Sequence, residues 1–358
     1  MNFVYQSIAN KVYFGEEHLK ALPNIIREAG GNRLFVITSP RKPNQAITDD
    51  LERAFGADHV FLFSEIVQHV PKQIVDKALA LAKEHRPDTL IAIGGGSAIG
   101  LAKGMALQTG LPILAIPTTY AGSEMTNVYG ITEHGVKTVG KDLKVLPRSV
   151  IYAPSLTATM PLQLAAKSSM NAMAHLVEAI YAFDVNPVTY QNALLGIRFL
   201  KEGMEILINQ KSLNEANEKI QFGAYLAGKC LCEVSMALHH KVAHVLGGNF
   251  SLDHGSVHTV LLPYVLDFQY MGLSENSKED LEKILNAENP PLKLKTLAEQ
   301  MDVATNLKSI GFKKEDISKA TAQILAIKKF PNPVDISETN INDLLQRSYE
   351  GRLLKAGP

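Results

Sequence analysis

Short apolar runs alternate with helical patterns through the first half of the chain, which predicts βαβ units around a mostly parallel sheet. The clearest strands are Arg33-Leu34-Phe35-Val36-Ile37-Thr38 and Thr89-Leu90-Ile91-Ala92-Ile93, with a third, Pro112-Ile113-Leu114-Ala115-Ile116, ended by Pro117. Leading into the second strand, residues 74–86 carry apolar Ile74, Val75, Ala78, Leu79 and Ala82 three and four apart and read as a helix. After Pro154 and the stretch from Leu156 to Pro161 the pattern changes to long helical periods with almost no β-branched runs. Helices are expected over 165–183, 188–208, 214–237 and 240–246, with several more after Ser274. Pro290-Pro291 and Pro331-Asn332-Pro333 divide the last third. Gly223 and Gly228, inside a helical pattern, point to close helix packing.

The expected architecture is an α/β dinucleotide-binding domain over residues 1–155 and an all-helical substrate domain over 156–358, with the active site in the cleft between them. A chain of 358 residues exceeds what one core usually fills, and clefts between domains are where small-molecule chemistry tends to sit. Charge narrows the class of partner. The 36 Lys and Arg balance 36 Asp and Glu, so no basic excess draws the protein to nucleic acid or to an anionic membrane. Two cysteines, Cys230 and Cys232, give no disulfide framework and fit a reducing cytoplasm. The N-terminal residues lack the basic, apolar and cleavage-site order of a signal peptide, and no stretch approaches about 18 uninterrupted apolar residues. A cytoplasmic protein is expected.

The second strand runs into Gly94-Gly95-Gly96-Ser97 and then into a helical pattern. Glycines let the backbone approach a ligand, and a helix start presents free N–H groups and a positive dipole end, so a pyrophosphate is the expected guest. The spacing is neither G-x-G-x-x-G nor a P-loop. After the third strand, Pro117-Thr118-Thr119-Tyr120-Ala121-Gly122-Ser123-Glu124-Met125-Thr126 places hydroxyls at a strand's C-terminal end, where open α/β sheets bind ligands. Thr118, Thr119, Ser123 and Thr126 are candidate cofactor contacts. The first strand ends in Thr38-Ser39-Pro40-Arg41-Lys42, with no acidic residue to grip a ribose diol, while Arg41 and Lys42 suit a 2′-phosphate; NADH and NADPH both stay open.

The helical half holds histidines at helical spacing: Asn171 and His175, His240 and His244, and His254 and His258 are each four apart. Convergent histidines suit a transition metal, a proton-transfer site or a satisfied core, and spacing alone does not choose among them.

Four runs together resemble the iron-containing alcohol dehydrogenase superfamily, with its dehydroquinate synthase-like fold, and within it the maleylacetate reductases. They are Gly94 to Lys103, Pro117 to Thr126, Met170-Asn171-Ala172-Met173-Ala174-His175-Leu176-Val177-Glu178-Ala179-Ile180-Tyr181, and His239-His240-Lys241-Val242-Ala243-His244-Val245-Leu246-Gly247-Gly248. In the metal-dependent branch an Asp and three His hold Fe or Zn; the resemblance carries these onto Asn171, His175, His240 and His254. An amide is a poorer ligand than a carboxylate and brings no charge to a divalent cation, so no metal is expected. The resemblance also implies cofactor contacts at His69 and Lys137, with Lys144 near them, and a homodimer. Two residues depart from the pattern: Gly255, where the reductases have Ala, and Ala153, where an Asp-Pro pair is common.

The implied reaction is reduction of the double bond of maleylacetate to 3-oxoadipate, a step in the breakdown of aromatic compounds, by conjugate hydride addition. His240 and His254, with His175 beside them, are expected to hold the ketone oxygen and supply a proton, since histidine titrates near pH ~6.5. Asn171, Tyr120, Ser123 and Lys241 are candidates for the carboxylates of the small dicarboxylate substrate. Two other readings stand beside this one: a metal-dependent alcohol dehydrogenase, and a non-catalytic nucleotide-binding sensor, against which the intact histidine set argues.

Overall fold

The computed structural model describes residues 3–40, 42–213, 215–327 and 330–354. They form two compact units, Ser7–Met160 and Pro161 onward, the second including residues 3–6. The division falls five residues beyond the expected 155. Leu156 belongs to the hydrophobic cluster of the first unit, and backbone turns from Ala153 to Met160 carry the chain on from it.

The first unit contains strands β1 (Lys11–Phe14), β2 (Leu34–Thr38), β3 (Val60–Phe63), β4 (Thr89–Gly94), β5 (Ile113–Pro117), β6 (Val128–Glu133), β7 (Val136–Lys141) and β8 (Ser149–Tyr152). Its helices are α1 (Glu16–Lys20), α2 (Leu22–Glu28), α3 (Lys42–Phe55), α4 (Lys72–His85) and α5 (Gly96–Thr109). Six strands pair in the order β1-β8-β5-β4-β2-β3, all parallel. Every residue of β2, β4 and β5 is buried, as strands covered on both faces require, which is why they read as unbroken apolar runs. The less legible β1 and β3 form the edges and are partly exposed. β6 and β7 form a separate antiparallel hairpin.

The strand order places the ligand end. From β2 the chain moves outward to β3, then returns to β4 on the other side of β2 and continues to β5. The connections therefore diverge at the C-terminal ends of β2 and β4, and such a switch point opens a crevice in an α/β sheet. Register aligns Thr38 with Ile93 and Gly94 with Pro117. Ser39, the glycine turn and Thr118 thus leave the sheet side by side.

The second unit is helical: α6 (Leu162–Ile180), α7 (Pro187–Gln210), α8 (Asn217–Glu233), α9 (Leu238–Asn249), α10 (His254–Tyr270), α11 (Glu275–Leu285), α12 (Pro290–Gln300), α13 (Ile317–Leu325) and α14 (Glu338–Glu350). Pro290 and Pro291 open α12, where a missing N–H costs nothing. The pattern did not predict α10. Residues 256–266 of it are all buried, so no polar face marks a period, and Pro263 inside it mimics a helix end. Among the described residues no helix is long and apolar enough to cross a membrane.

The glycine-rich packing expected for 222–231 is present where α7 meets α8. A Cβ on Gly223 would lie 2.7 Å from Leu200 Cγ and 3.0 Å from the Leu200 backbone nitrogen, and backbone cannot step aside. Gly248, in α9, has nothing within 4 Å of a built Cβ. The same change should therefore have opposite signs: Gly223→Ala should lose about 1–3 kcal/mol by overpacking, and Gly248→Ala should gain up to about 1 kcal/mol from helix propensity. Chemical denaturation of the two variants checks this, and matching shifts would show that packing does not decide.

Candidate active site

In the first unit the expected cofactor residues gather at the switch point. Gly95 caps α5, and the N–H groups of Ala98 and Ile99 return to its carbonyl at 3.1 and 3.2 Å. The first-turn N–H groups of Gly96 and Ser97 are left outside the helix's own bonding. A Cβ on Gly95 would lie 2.9 Å from Thr119 Cγ2, so only glycine lets the two loops approach. The Thr118 N–H donates to the Gly94 carbonyl at 3.0 Å, joining the loops directly. Thr118, Thr119, Ser97 and Ser123 are half-buried and Gly96 is exposed. The Ser39 carbonyl accepts from Asn44 Nδ2 at 3.2 Å. A dinucleotide fits this set: free amides for its phosphates, and backbone where a side chain would intrude.

Two expected contacts have other work. Tyr120 is fully buried. Its phenol is bonded to Thr157, and burial pushes its pKa up to about 12, so it packs the loop and does not face a carboxylate. Thr126 is buried too; its hydroxyl donates to the Ser123 carbonyl and accepts from Lys103 Nζ at 2.9 Å, which removes it from reach of a cofactor. His69 is exposed. It and Val70 both have left-handed backbone, φ 65° and 50°, an uncommon conformation for a β-branched residue. Thr132 holds the pair, its N–H donating to the Val70 carbonyl at 3.0 Å and its hydroxyl to the His69 carbonyl at 2.8 Å. The Lys137 and Lys42 side chains and all of Arg41 lie outside the described residues.

In the second unit six imidazoles cluster. His175 stacks on His240 with centroids 4.8 Å apart, His240 lies 4.9 Å from His258, and His258 lies 4.4 Å from His254. His239 Nε2 is 2.9 Å from His258 Nδ1. His244 sits 6.1 Å from His240 and 6.5 Å from His254. His175, His239, His240 and His258 are buried, while His244 and His254 are exposed at the rim. Asn171 is buried one turn before His175 on α6, and its Oδ1 has no hydrogen-bond partner among the described residues. Neither do His175 Nδ1 and His240 Nε2. Buried polar atoms left open in one cluster are what a ligand's polar groups would satisfy.

Burial changes the expected protonation. It pushes His175 and His239 down to about 3, helped by the other histidines, and holds His240 and His258 well below the usual imidazole range. The buried members are therefore neutral near pH 7, not the imidazolium donors expected of them. The residue that sequence reasoning passed over is Glu178. It is fully buried on α6, seven positions after Asn171 and three after His175. One oxygen accepts the His239 N–H at 2.8 Å and the other meets His240 Nδ1 in a short contact. Burial raises its pKa to about 8, against the pull of the backbone amides of His239, His240 and Ala237. A carboxylate on an otherwise apolar stretch of helix was the available signal.

Lys241, one position on from His240, has its ammonium 5.7 Å from the centre of the Phe330 ring and is not among the histidines. Of the two departures, a Cβ on Gly255 would meet Lys167 Cβ at an ordinary 3.4 Å, so alanine would also fit there. Ala153 is fully buried in the apolar core of the first unit.

Comparison with known proteins bears on the family and the fold. Residues 9–154 match the iron-containing alcohol dehydrogenase family, and residues 165–349 match the C-terminal region of the Fe-containing alcohol dehydrogenase family. Maleylacetate reductases from Pseudomonas sp. (strain P51) and Delftia acidovorans are each 39% identical over 351 residues, 98% of this chain and 99% of theirs. The solved maleylacetate reductase from Agrobacterium tumefaciens aligns with a TM-score of 0.93 at 32% identity, covering 99% of this chain and 100% of that one. A putative alcohol dehydrogenase from Ralstonia eutropha JMP134 aligns with a TM-score of 0.92 at 38% identity, covering 98% and 99%. The chain belongs to the iron-containing alcohol dehydrogenase family.

Proposed function

We propose that this oxidoreductase reduces the carbon–carbon double bond of maleylacetate, giving 3-oxoadipate, with NADH or NADPH and without a metal. The observation that carries the reading is Asn171: a buried residue one turn before His175 whose amide oxygen has no hydrogen-bond partner among the described residues, at the position to which the family pattern would assign a carboxylate ligand. Full-length similarity to maleylacetate reductases supports the substrate. The donor set lacks the family's carboxylate ligand, since an amide stands at Asn171 beside His175 and His240, and the Glu178 carboxyl meets His240 through Nδ1 and not as a member of the set. No step here is routed through a metal.

A dinucleotide whose phosphates were held by the amides at the glycine turn would supply hydride from its reduced nicotinamide to the carbon β to the substrate's ketone. The chain then has two tasks, stabilising charge on the ketone oxygen and delivering a proton to the α-carbon. Neutral imidazoles and the Asn171 amide suit the first, because they donate hydrogen bonds without the cost of a buried cation. For the second, Glu178 holds a proton at neutral pH. As His240 gives up a proton from Nε2, its Nδ1 can take the one from Glu178, so the pair ends one proton poorer and the imidazole never carries a full charge. His254, exposed at the rim of the cluster, is the residue we assign to direct contact with the substrate. The reading extends to a cytoplasmic homodimer, supported by the cysteine count and by the family resemblance; sedimentation velocity reports the assembly.

The purified protein should oxidise NADH or NADPH with maleylacetate, and a chelator should leave the rate unchanged. Near-stoichiometric metal with activity lost on chelation would establish the metal-dependent alternative; cofactor binding with no turnover of maleylacetate or simple aldehydes would establish a sensor.

His240→Ala and His254→Ala should each lower kcat/KM by about a hundredfold or more with cofactor affinity held. Wild-type turnover in both removes the histidines from the reaction. Glu178→Gln keeps a hydrogen-bonding partner for His240 and removes the proton, so kcat should fall by about 10- to 100-fold with little change in cofactor KM. An unchanged kcat would exclude the relay.

Neutral burial is testable apart from turnover. Where a histidine's folded pKa is about 3 and its unfolded pKa about 6.5, the unfolded chain binds more protons between those values, so stability falls as pH falls. Glu178, raised to about 8, acts in the opposite sense between about pH 4.5 and 8. Replacing His239 isolates one contribution: between pH 7 and pH 5, His239→Gln should lose roughly 2 kcal/mol less than wild type in chemical denaturation. Equal losses would mean that His239 is not held neutral in the fold.

A further inference from the structure

Lys103 is a charged residue in the buried, apolar middle of α5. It lies two turns into α5, among Ile99, Leu101, Ala102, Met105 and Ala106, and is 1% exposed. Its three N–H groups are shared among four acceptors, the carbonyls of Ser123, Thr126 and Val128 at 2.6, 2.8 and 2.8 Å and Thr126 Oγ1 at 2.9 Å. Four oxygens around one ammonium form a cage of the kind that solvates a monovalent cation, here delivered on a side chain. The buried Glu124 carboxyl, which accepts from the Tyr152 hydroxyl at 2.8 Å, also feels this charge.

The placement of the cage is informative. The hydroxyl-bearing loop after β5 is tied at its start to the glycine turn, through the Thr118 N–H and the Gly94 carbonyl. Farther along, at residues 123–128, it is tied through Lys103 to α5, whose first turn presents the open amides. Without a cation three carbonyl oxygens would face one another across a small space with nothing between them, and like dipoles would drive them apart.

We infer that Lys103 is a positioning residue for the dinucleotide, a tethered internal cation that fixes the path of residues 123–128 and locks the hydroxyl loop to the helix that begins at the glycine turn. The inference rests on the reading of that turn as the cofactor site. It predicts an effect on cofactor binding from a residue that the cofactor never reaches, and it predicts that a free cation can take over the work.

The test measures NADH and NADPH binding by fluorescence titration of the full chain as wild type, Lys103→Ala and Lys103→Met, with circular dichroism reporting folding. Both variants should bind at least about tenfold more weakly than wild type. Lys103→Ala should recover most of that loss in n-propylammonium chloride, but not in tetramethylammonium chloride, which cannot donate hydrogen bonds. Lys103→Met fills the space and should not recover. Folded variants that bind within twofold of wild type, or recovery that is equal in both salts, would overturn the inference. Should neither variant fold, Thr126→Val decides, since it removes one oxygen of the cage: about threefold weaker binding supports the inference and wild-type binding defeats it. A wild-type protein that binds neither cofactor would refute the reading of the glycine turn, a separate result.

Discussion

Parallel pairing imposes one constraint on the first unit from which its chemistry follows. Strands that run the same way must all release their ends at the same edge, and the order β1-β8-β5-β4-β2-β3 makes the chain diverge between β2 and β4. Ser39, the glycine turn and Thr118 come together because Thr38 pairs with Ile93 and Gly94 with Pro117. A one-residue slip would carry every side chain of a strand to the opposite face of the sheet, so the packing of the apolar core and the arrangement of the cofactor loops are specified by the same register.

The helical unit solves a different problem, keeping ionisable groups in an apolar interior. Four of its histidines are buried, and each gives up its charge to remain so. Glu178 gives up its charge as well, and the result is a set of neutral donors and acceptors whose protons can be exchanged at little electrostatic cost. The first unit treats its buried cation in the opposite way. Lys103 stays hydrogen-bonded to oxygens on all sides, so its charge is solvated by the protein and serves to hold backbone in place.

Much of this was legible in the sequence where one physical cause dominates. Buried parallel strands announce themselves as apolar runs, and the turn from β4 to α5 is carried by Gly94 and Gly95, where a Cβ would crowd Ala98 and Thr119. The spacing of Asn171 and His175, and of the histidine pairs on α9 and α10, correctly placed each pair on one helix. Legibility failed where burial is complete: α10 shows no period because it has no exposed face, and Pro263 suggested an end where the helix continues. Tyr120 and Thr126 looked like ligand contacts because their polarity is visible in sequence and their burial is not. Protonation was misjudged for the same reason, since a histidine's spacing says nothing about the solvent it has lost. Glu178 and Lys103 were both in view, each a lone formal charge within a mostly apolar stretch, and each is hydrogen-bonded to the chain around it.

The left-handed pair His69 and Val70 has a mechanical meaning. A conformation of this kind costs on the order of 1–3 kcal/mol per residue, and Thr132 of the β6–β7 hairpin holds it through bonds to both carbonyls. Val70 also fills the space beside Gly100, where a built Cβ would lie 2.7 Å from its Cγ2. Parting Thr132 from the turn would let both residues relax to negative φ and withdraw Val70 from α5. The hairpin thus holds the His69 turn in a backbone conformation that the turn's own residues disfavour.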